Sequence, residues 1–246
     1  MRFIMMHKTE PKWEAGALPS AELIAGMGGL LGQMAGAGAL LDAGGLRPSS
    51  LGVRLTFSRG VRTVTPGPFA GGNELPAGFT ILRVGSIDEA IDWASRYAGV
   101  VGDVEIDIRP VTEPWNIGIC PKPKELTTTR FMMVTKANQA SEAAVPPAPA
   151  VKAGLETLTA DLVSAGVLLA AERLQPSSRG TRLKFVGGKR TITDGPFTES
   201  KELIAGFVML RAEAKEGMIG WATRFAALTG DVEIDVRPLY ERADTA

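Results

Sequence analysis

Residues 102–109 read Gly-Asp-Val-Glu-Ile-Asp-Ile-Arg and residues 230–237 read Gly-Asp-Val-Glu-Ile-Asp-Val-Arg, an offset of 128. The same offset carries Arg2-Phe3 onto Arg130-Phe131, Pro48-Ser49-Ser50 onto Pro176-Ser177-Ser178, Gly67-Pro68-Phe69 onto Gly195-Pro196-Phe197, and Trp93 onto Trp221. A constant offset without drift means two copies of one module, and a period this long is a domain rather than a solenoid unit. The copies are read as residues 1–111 and 130–240, joined by a connector at 112–129 whose Pro114, Pro121 and Pro123 favour an extended path. Each copy, at roughly 110 residues, is long enough for one layered core.

Charge and composition then exclude whole classes of function. Twenty-seven basic residues balance twenty-seven acidic ones, so bulk electrostatics argue against a nucleic-acid or membrane-surface partner. Cys120 is the only cysteine, which rules out an intrachain disulfide and fits a reducing cytoplasm. His7 is the only histidine, leaving little material for a histidine metal site or a Ser-His-Asp triad, and no metal or cofactor is expected. Leu23 to Leu41 is an uncharged run of nineteen residues, long enough to span a bilayer. Its counterpart, Val151 to Leu169, contains Lys152, Glu156 and Asp161. Twin helices should share one solvent, so no membrane span is expected. The N-terminus lacks the basic region, apolar run and cleavage site of a signal peptide.

Along copy one, the pattern predicts a strand at Arg2 to Met6 and a helix from about Ser20 to Ala39, with Leu23, Met27, Leu30, Leu31 and Met34 at helical spacing. Gly28, Gly32 and Gly36 lie four apart on that helix; they either admit another backbone closely or break the helix. A hairpin follows, Val53 to Phe57 and Val61 to Thr65, and in copy two it turns at Gly187-Gly188. Next come a strand at Gly78 to Val84 and a capping box, Ser86 to Glu89, opening a second helix. The copy closes with the alternating strand Asp103 to Arg109. The order β-α-β-β-β-α-β, less one hairpin strand, is the ferredoxin-like plan, an α+β fold with both helices on one face of an antiparallel sheet. Two such units in tandem are expected to form a pseudo-dimer within the chain, with room for a homodimer of chains.

In copy two, Asp194-Gly195-Pro196-Phe197 continues through Thr198-Glu199-Ser200-Lys201-Glu202 to Leu203-Ile204-Ala205-Gly206-Phe207. With Ala165-Gly166-Val167-Leu168, Leu174-Gln175-Pro176-Ser177-Ser178 and the closing Val232 to Pro238, this passage closely resembles the YCII-related family, in the branch that carries an Asp-Gly-Pro-Phe motif. The resemblance covers nearly all of both copies. It implies a ferredoxin-like unit that pairs into a dimeric α+β barrel, and it assigns no settled reaction. The wider family is proposed to act through a His–Asp pair, with the His near the start of the first helix. Here that region reads Pro19-Ser20-Ala21-Glu22 and Pro147-Ala148-Pro149-Ala150, so the mechanism does not transfer. Copy one has Pro66 in place of the motif aspartate and Ala70-Gly71-Gly72-Asn73 in place of Thr198 to Lys201. The motif is intact in copy two alone.

Asp194 is the candidate catalytic residue, with Thr193, Glu199 and Lys201 close by in sequence; the competing reading is a turn aspartate that accepts backbone N–H groups. Arg182 and Lys184 alternate with core residues on the hairpin, where they either bind a ligand or pair with acids across the sheet. Ser177 lacks a base to activate it, so it is read as a ligand contact or a turn residue. If the face bearing Lys184, Arg190, Glu233, Asp235 and Arg237 lines a cavity, it would hold a small polar ligand. Three functions follow: small-ligand binding or an accessory role; a cofactor-free lyase, hydrolase or oxygenase using Asp194 as acid or base; and, from the resemblance only, a regulatory partner linked to sigma-factor transcription. The intact copy is expected to hold the working site and the other to complete its walls.

Overall fold

The computed structural model describes residues 1–69, 72–197 and 199–241. Copy one supplies β1 (Arg2–Lys8), the short α1 (Pro11–Glu14), α2 (Ala21–Gly36), β2 (Leu40–Gly45), the hairpin β3 (Val53–Ser58) and β4 (Val61–Pro66), β5 (Pro76–Val84), α3 (Ile87–Val101) and β6 (Val104–Pro110). Copy two repeats the series as β7 (Thr129–Lys136), α4 (Gln139–Glu142), α5 (Pro149–Ser164), β8 (Leu168–Arg173), β9 (Thr181–Val186), β10 (Lys189–Asp194), β11 (Ile204–Arg211), α6 (Lys215–Thr229) and β12 (Val232–Pro238).

The result is two antiparallel six-stranded sheets, ordered β10-β9-β12-β1-β11-β2 and β4-β3-β6-β7-β5-β8. Each contains the ferredoxin-like order, β12-β1-β11-β2 or β6-β7-β5-β8, extended at one edge by the hairpin. Neither sheet belongs to one sequence copy. Unit 1 joins Met1–Gly45 to the described residues from Leu174 onward, and unit 2 is Leu46–Arg173. The β-α-β arm of each copy has been exchanged: β1 lies between β11 and β12, and β7 lies between β5 and β6. Two copies of one module offer equivalent slots, so a strand can fit its twin's sheet as well as its own, the logic of a domain swap within one chain.

Alternation explains which way each strand faces. In unit 1, Phe3 and Met5 join Leu183, Val208, Leu210, Ile234 and Val236 under α2 and α6, which contribute Leu30, Met34, Met218, Ala222 and Phe225. In unit 2, Leu55, Leu82, Val84, Ile106, Ile108, Phe131 and Met133 pack with Ala90, Ala94, Leu158 and Leu162 of α3 and α5. Lys8, Asp235 and Arg182 lie on the other face: Asp235 is cross-strand from Met6 and from Arg182, and Lys8 follows Met6 by two residues.

Several local expectations need correction. The first helix stops at Gly36, not Ala39, and Gly38 takes φ +66° before the chain enters β2. β2 and its twin β8 were not expected, because the apolar Ala39-Leu40-Leu41 continues the helix pattern without a break and Leu40 to Gly45 shows no period-2 alternation. An extended partner, β11, makes this glycine-rich stretch a strand. A Cβ at Gly28, Gly32 or Gly36 would meet nothing within 4 Å, so these glycines admit no close backbone, and the helix continues through them. Ser86 accepts from the Glu89 N–H at 3.2 Å, but Glu89 accepts from Gly85 at 2.9 Å rather than from Ser86. Among the described residues no helix is long and apolar enough to cross a membrane.

Candidate ligand site

The motif builds a clamp. Phe197 donates its backbone N–H to the Ser177 hydroxyl at 3.0 Å, and Phe69 does the same to Ser49 at 3.2 Å. A Cβ at Gly195 or Gly67 would come within 1.8 Å of the Ser177 or Ser49 carbonyl oxygen, so only glycine fits there. The Gly-Pro peptide is cis in both units. The clamp presents the phenylalanine ring to an arginine: Arg182 stacks 4.5 Å over Phe197, and Arg54 stacks 4.8 Å over Phe69. Ser177, fully buried, is thus a fixed hydrogen-bond acceptor.

Each stacked arginine enters a buried ionic cluster. In unit 1, Arg182 grips Asp235 through Nε at 2.6 Å and Nη2 at 2.9 Å, while Glu233 lies 3.3 Å away. Lys8 completes the cluster, 2.9 Å from Asp235 and donating to Ser200 Oγ at 2.8 Å. In unit 2, Arg54 bonds Asp107 at 2.7 and 2.9 Å, and Lys136 lies 2.7 Å from Asp107. There Glu74 closes the cluster, accepting from Arg54 at 2.9 Å and pairing with Lys136. Burial pushes the Asp235 and Asp107 carboxyls up; the cations beside them outweigh that and hold both below the usual carboxylate range. A bidentate arginine and a lysine on one carboxylate make an arrangement in which each ion depends on the others, since an unmatched buried charge is costly.

The cluster draws on both copies. Lys8 comes from the β-α-β arm of copy one, whereas Arg182, Asp235 and Ser200 belong to copy two. A lysine ending an apolar strand gave no sign in sequence of its partner 227 positions away, and its burial beside Asp235 depends on the strand exchange.

Of the residues singled out from sequence, the structure brings Arg182 into the cluster and places Lys184 at its edge, exposed on β9. Glu199 contributes its backbone carbonyl to Arg182 at 3.3 Å, and its carboxylate pairs with exposed Lys201 at 3.2 Å. Thr193 is exposed on β10, cross-strand from Arg182. Asp194 stands apart, at the end of β10, accepting from Thr181 at 2.7 Å and from Lys215 at 2.9 Å. Those bonds hold its exposed carboxyl below the ordinary range. Among the buried polar residues, Arg237 donates to the Gln175 carbonyl at 3.0 Å. The motif residues Thr198, Ala70 and Gly71 lie outside the described residues.

A shallow groove of about 180 Å³ lies beside the unit 1 cluster, which meets it at Lys8 and Glu233; Glu10, Lys184 and Glu202 also line it. Glu202 is the twin of Glu74, yet it is exposed, whereas Glu74 is buried. Ser200 takes the place on the lysine that a glutamate takes in unit 2. Among the described residues there is no group of three or more His, Cys, Asp or Glu side chains able to hold a metal ion.

The model of the YCII-related domain matches the chain twice, over residues 1–113 and 129–238. The chain belongs to the YCII-related family. Both YCII-related matches follow the sequence copies, and each therefore spans elements of both spatial units. No curated protein and no solved structure matches the chain.

Proposed function

We propose that this YCII-related protein binds a small polar ligand in the unit 1 groove, beside the Lys8–Asp235–Arg182 cluster, and that it belongs to the Asp-Gly-Pro-Phe branch on the strength of Asp194 to Phe197. One observation carries the reading: Glu74 is buried within the unit 2 cluster, whereas its twin Glu202 is exposed in unit 1 and lines the groove beside Lys8. Lys8 links the groove to the buried ions, and the exposed charges of Lys184 and Glu202 give it adjustable walls. A reducing cytoplasm suits the single exposed thiol of Cys120.

Binding is favoured over acid–base catalysis by Asp194. Its carboxyl is held ionised by Thr181 and Lys215, so it has no proton to donate near neutral pH and is a weak base. The test is a thermal-shift screen of small charged metabolites against the full chain and against Lys184→Met. Compounds that raise the melting temperature of wild type and not of the variant support the groove. Compounds that stabilise both equally place binding elsewhere.

A further inference from the structure

We infer that the ligand of the unit 1 groove is a small zwitterion whose carboxylate docks on Lys8 and whose ammonium faces Glu202, an inference that rests on the binding role proposed above. The first argument comes from the twin cluster. In unit 2 the lysine and arginine hold two buried carboxylates, Asp107 and Glu74. In unit 1 the corresponding pair holds one fully buried carboxylate, Asp235, with Glu233 half-buried at 3.3 Å from Arg182. Glu74 shows what this cation pair accepts when a second carboxylate can reach it.

The second argument is the state of Lys8. Its side chain is 2% exposed, it lines the groove, and an ammonium carries three donors. Its partners among the described residues are Asp235 and the Ser200 hydroxyl, two acceptors for three donors. A neutral hydroxyl in place of Glu74 also leaves the lysine with less compensating charge than its twin. A ligand carboxylate would supply both the acceptor and the charge.

The rim sets the other half of the ligand. Glu10, Glu202, Asp231 and Glu233 line the groove against a single exposed lysine, Lys184. Glu10 is already paired with Lys12 at 2.9 Å, and Asp231 accepts from the Gly187 N–H at 2.9 Å. Glu202 has no ion pair among the described residues and acts on Arg182 only through space. A plain monocarboxylate would meet this acidic rim unfavourably, and a plain amine would leave Lys8 unanswered. A molecule carrying both charges, spaced to fit a groove of about 180 Å³, satisfies floor and rim together.

The probes are β-alanine, propionate, propylamine and propionamide, titrated into the isotope-labelled full chain while amide shifts around the groove are followed. β-Alanine is expected to bind most tightly, with shifts centred on Lys184 to Val186 and Val232-Glu233. Glu202→Gln, an exposed change, should weaken β-alanine about two- to five-fold and leave propionate equal or tighter. If propylamine binds as tightly as β-alanine, or if propionate binds and β-alanine does not, the zwitterion is wrong while the binding role stands. If none of the four perturbs the groove, the binding role and this inference fall together.

Discussion

The two units hold the same cluster under different closures, and the difference lies in one position. Arg54, Asp107 and Lys136 in unit 2 match Arg182, Asp235 and Lys8 in unit 1, down to the stacked phenylalanine. Where unit 2 has Gly72, unit 1 has Ser200, buried and bonded to Lys8. The serine hydroxyl occupies a lysine donor, and the glutamate two residues on turns outward. A second pair diverges in concert: Tyr97 and Thr135 in unit 2 become Phe225 and His7 in unit 1, whose ring centroids lie 4.8 Å apart. An intact motif thus marks the unit whose glutamate faces the groove, although the motif aspartate takes no part in the cluster.

The largest expected effect tests whether closure matters for stability. Asp235→Ala removes the carboxylate on which both Arg182 and Lys8 depend, and should cost about 3–5 kcal/mol by urea denaturation. Asp107→Ala should cost less, because Glu74 still faces Arg54 and Lys136. Equal losses would show that Glu74 compensates nothing and would break the comparison.

His7 gives the next effect and a pH dependence. Burial lowers it from 6.5 to about 4, and its buried Nδ1 has no hydrogen-bond partner among the described residues. The unfolded chain therefore takes up the proton more readily than the folded one. Stability is full above pH 6.5 and is lost as pH falls toward 4, by about 3 kcal/mol across the window. His7→Thr, which installs the residue of unit 2, should flatten that part of the pH profile in thermal melts. A profile unchanged by the substitution would mean that His7 is not its source.

Gly195→Ala drives a methyl into the Ser177 carbonyl, at 1.8 Å, and should cost about 1–3 kcal/mol, at the upper end of overpacking. Calorimetry of this variant beside Gly67→Ala tests whether the clamp is equally tight in both units; the equal 1.8 Å distances predict matched losses. Smallest is Asp194→Asn. With its partner Lys215 on the surface, the change should move stability by at most about 1 kcal/mol and leave ligand-induced melting shifts unaltered. A loss of binding in Asp194→Asn would return the site to the motif aspartate.

Much of the fold is legible in local pattern. The hairpin at Gly187-Gly188, with φ of +55° and +76°, follows from residues that tolerate a left-handed turn. The strand Val232–Pro238 follows from alternation, and α3 from its Ser86 cap. β2 escaped because its glycines and leucines carry no period of their own and depend on β11 for their shape. At the site, Arg182 and Lys184 were recognisable as charges alternating with core residues. Lys8 was not, because a lysine at a strand end reads as solvated until its partner is known.

The sequence by itself determined that there are two copies, most of the elements each contains, and which family they belong to, since repeats, periodicity and turn chemistry act over short stretches. Tertiary structure decided the rest. Local signals identical in both copies cannot say whose sheet a strand will join, so the exchange that brings Lys8 to Asp235 is settled only when whole sheets assemble. Nor can they say which glutamate turns inward. Glu74 and Glu202 are the same residue at equivalent positions, and the balance between desolvation and ion pairing in the finished cluster buries one and leaves the other at the groove.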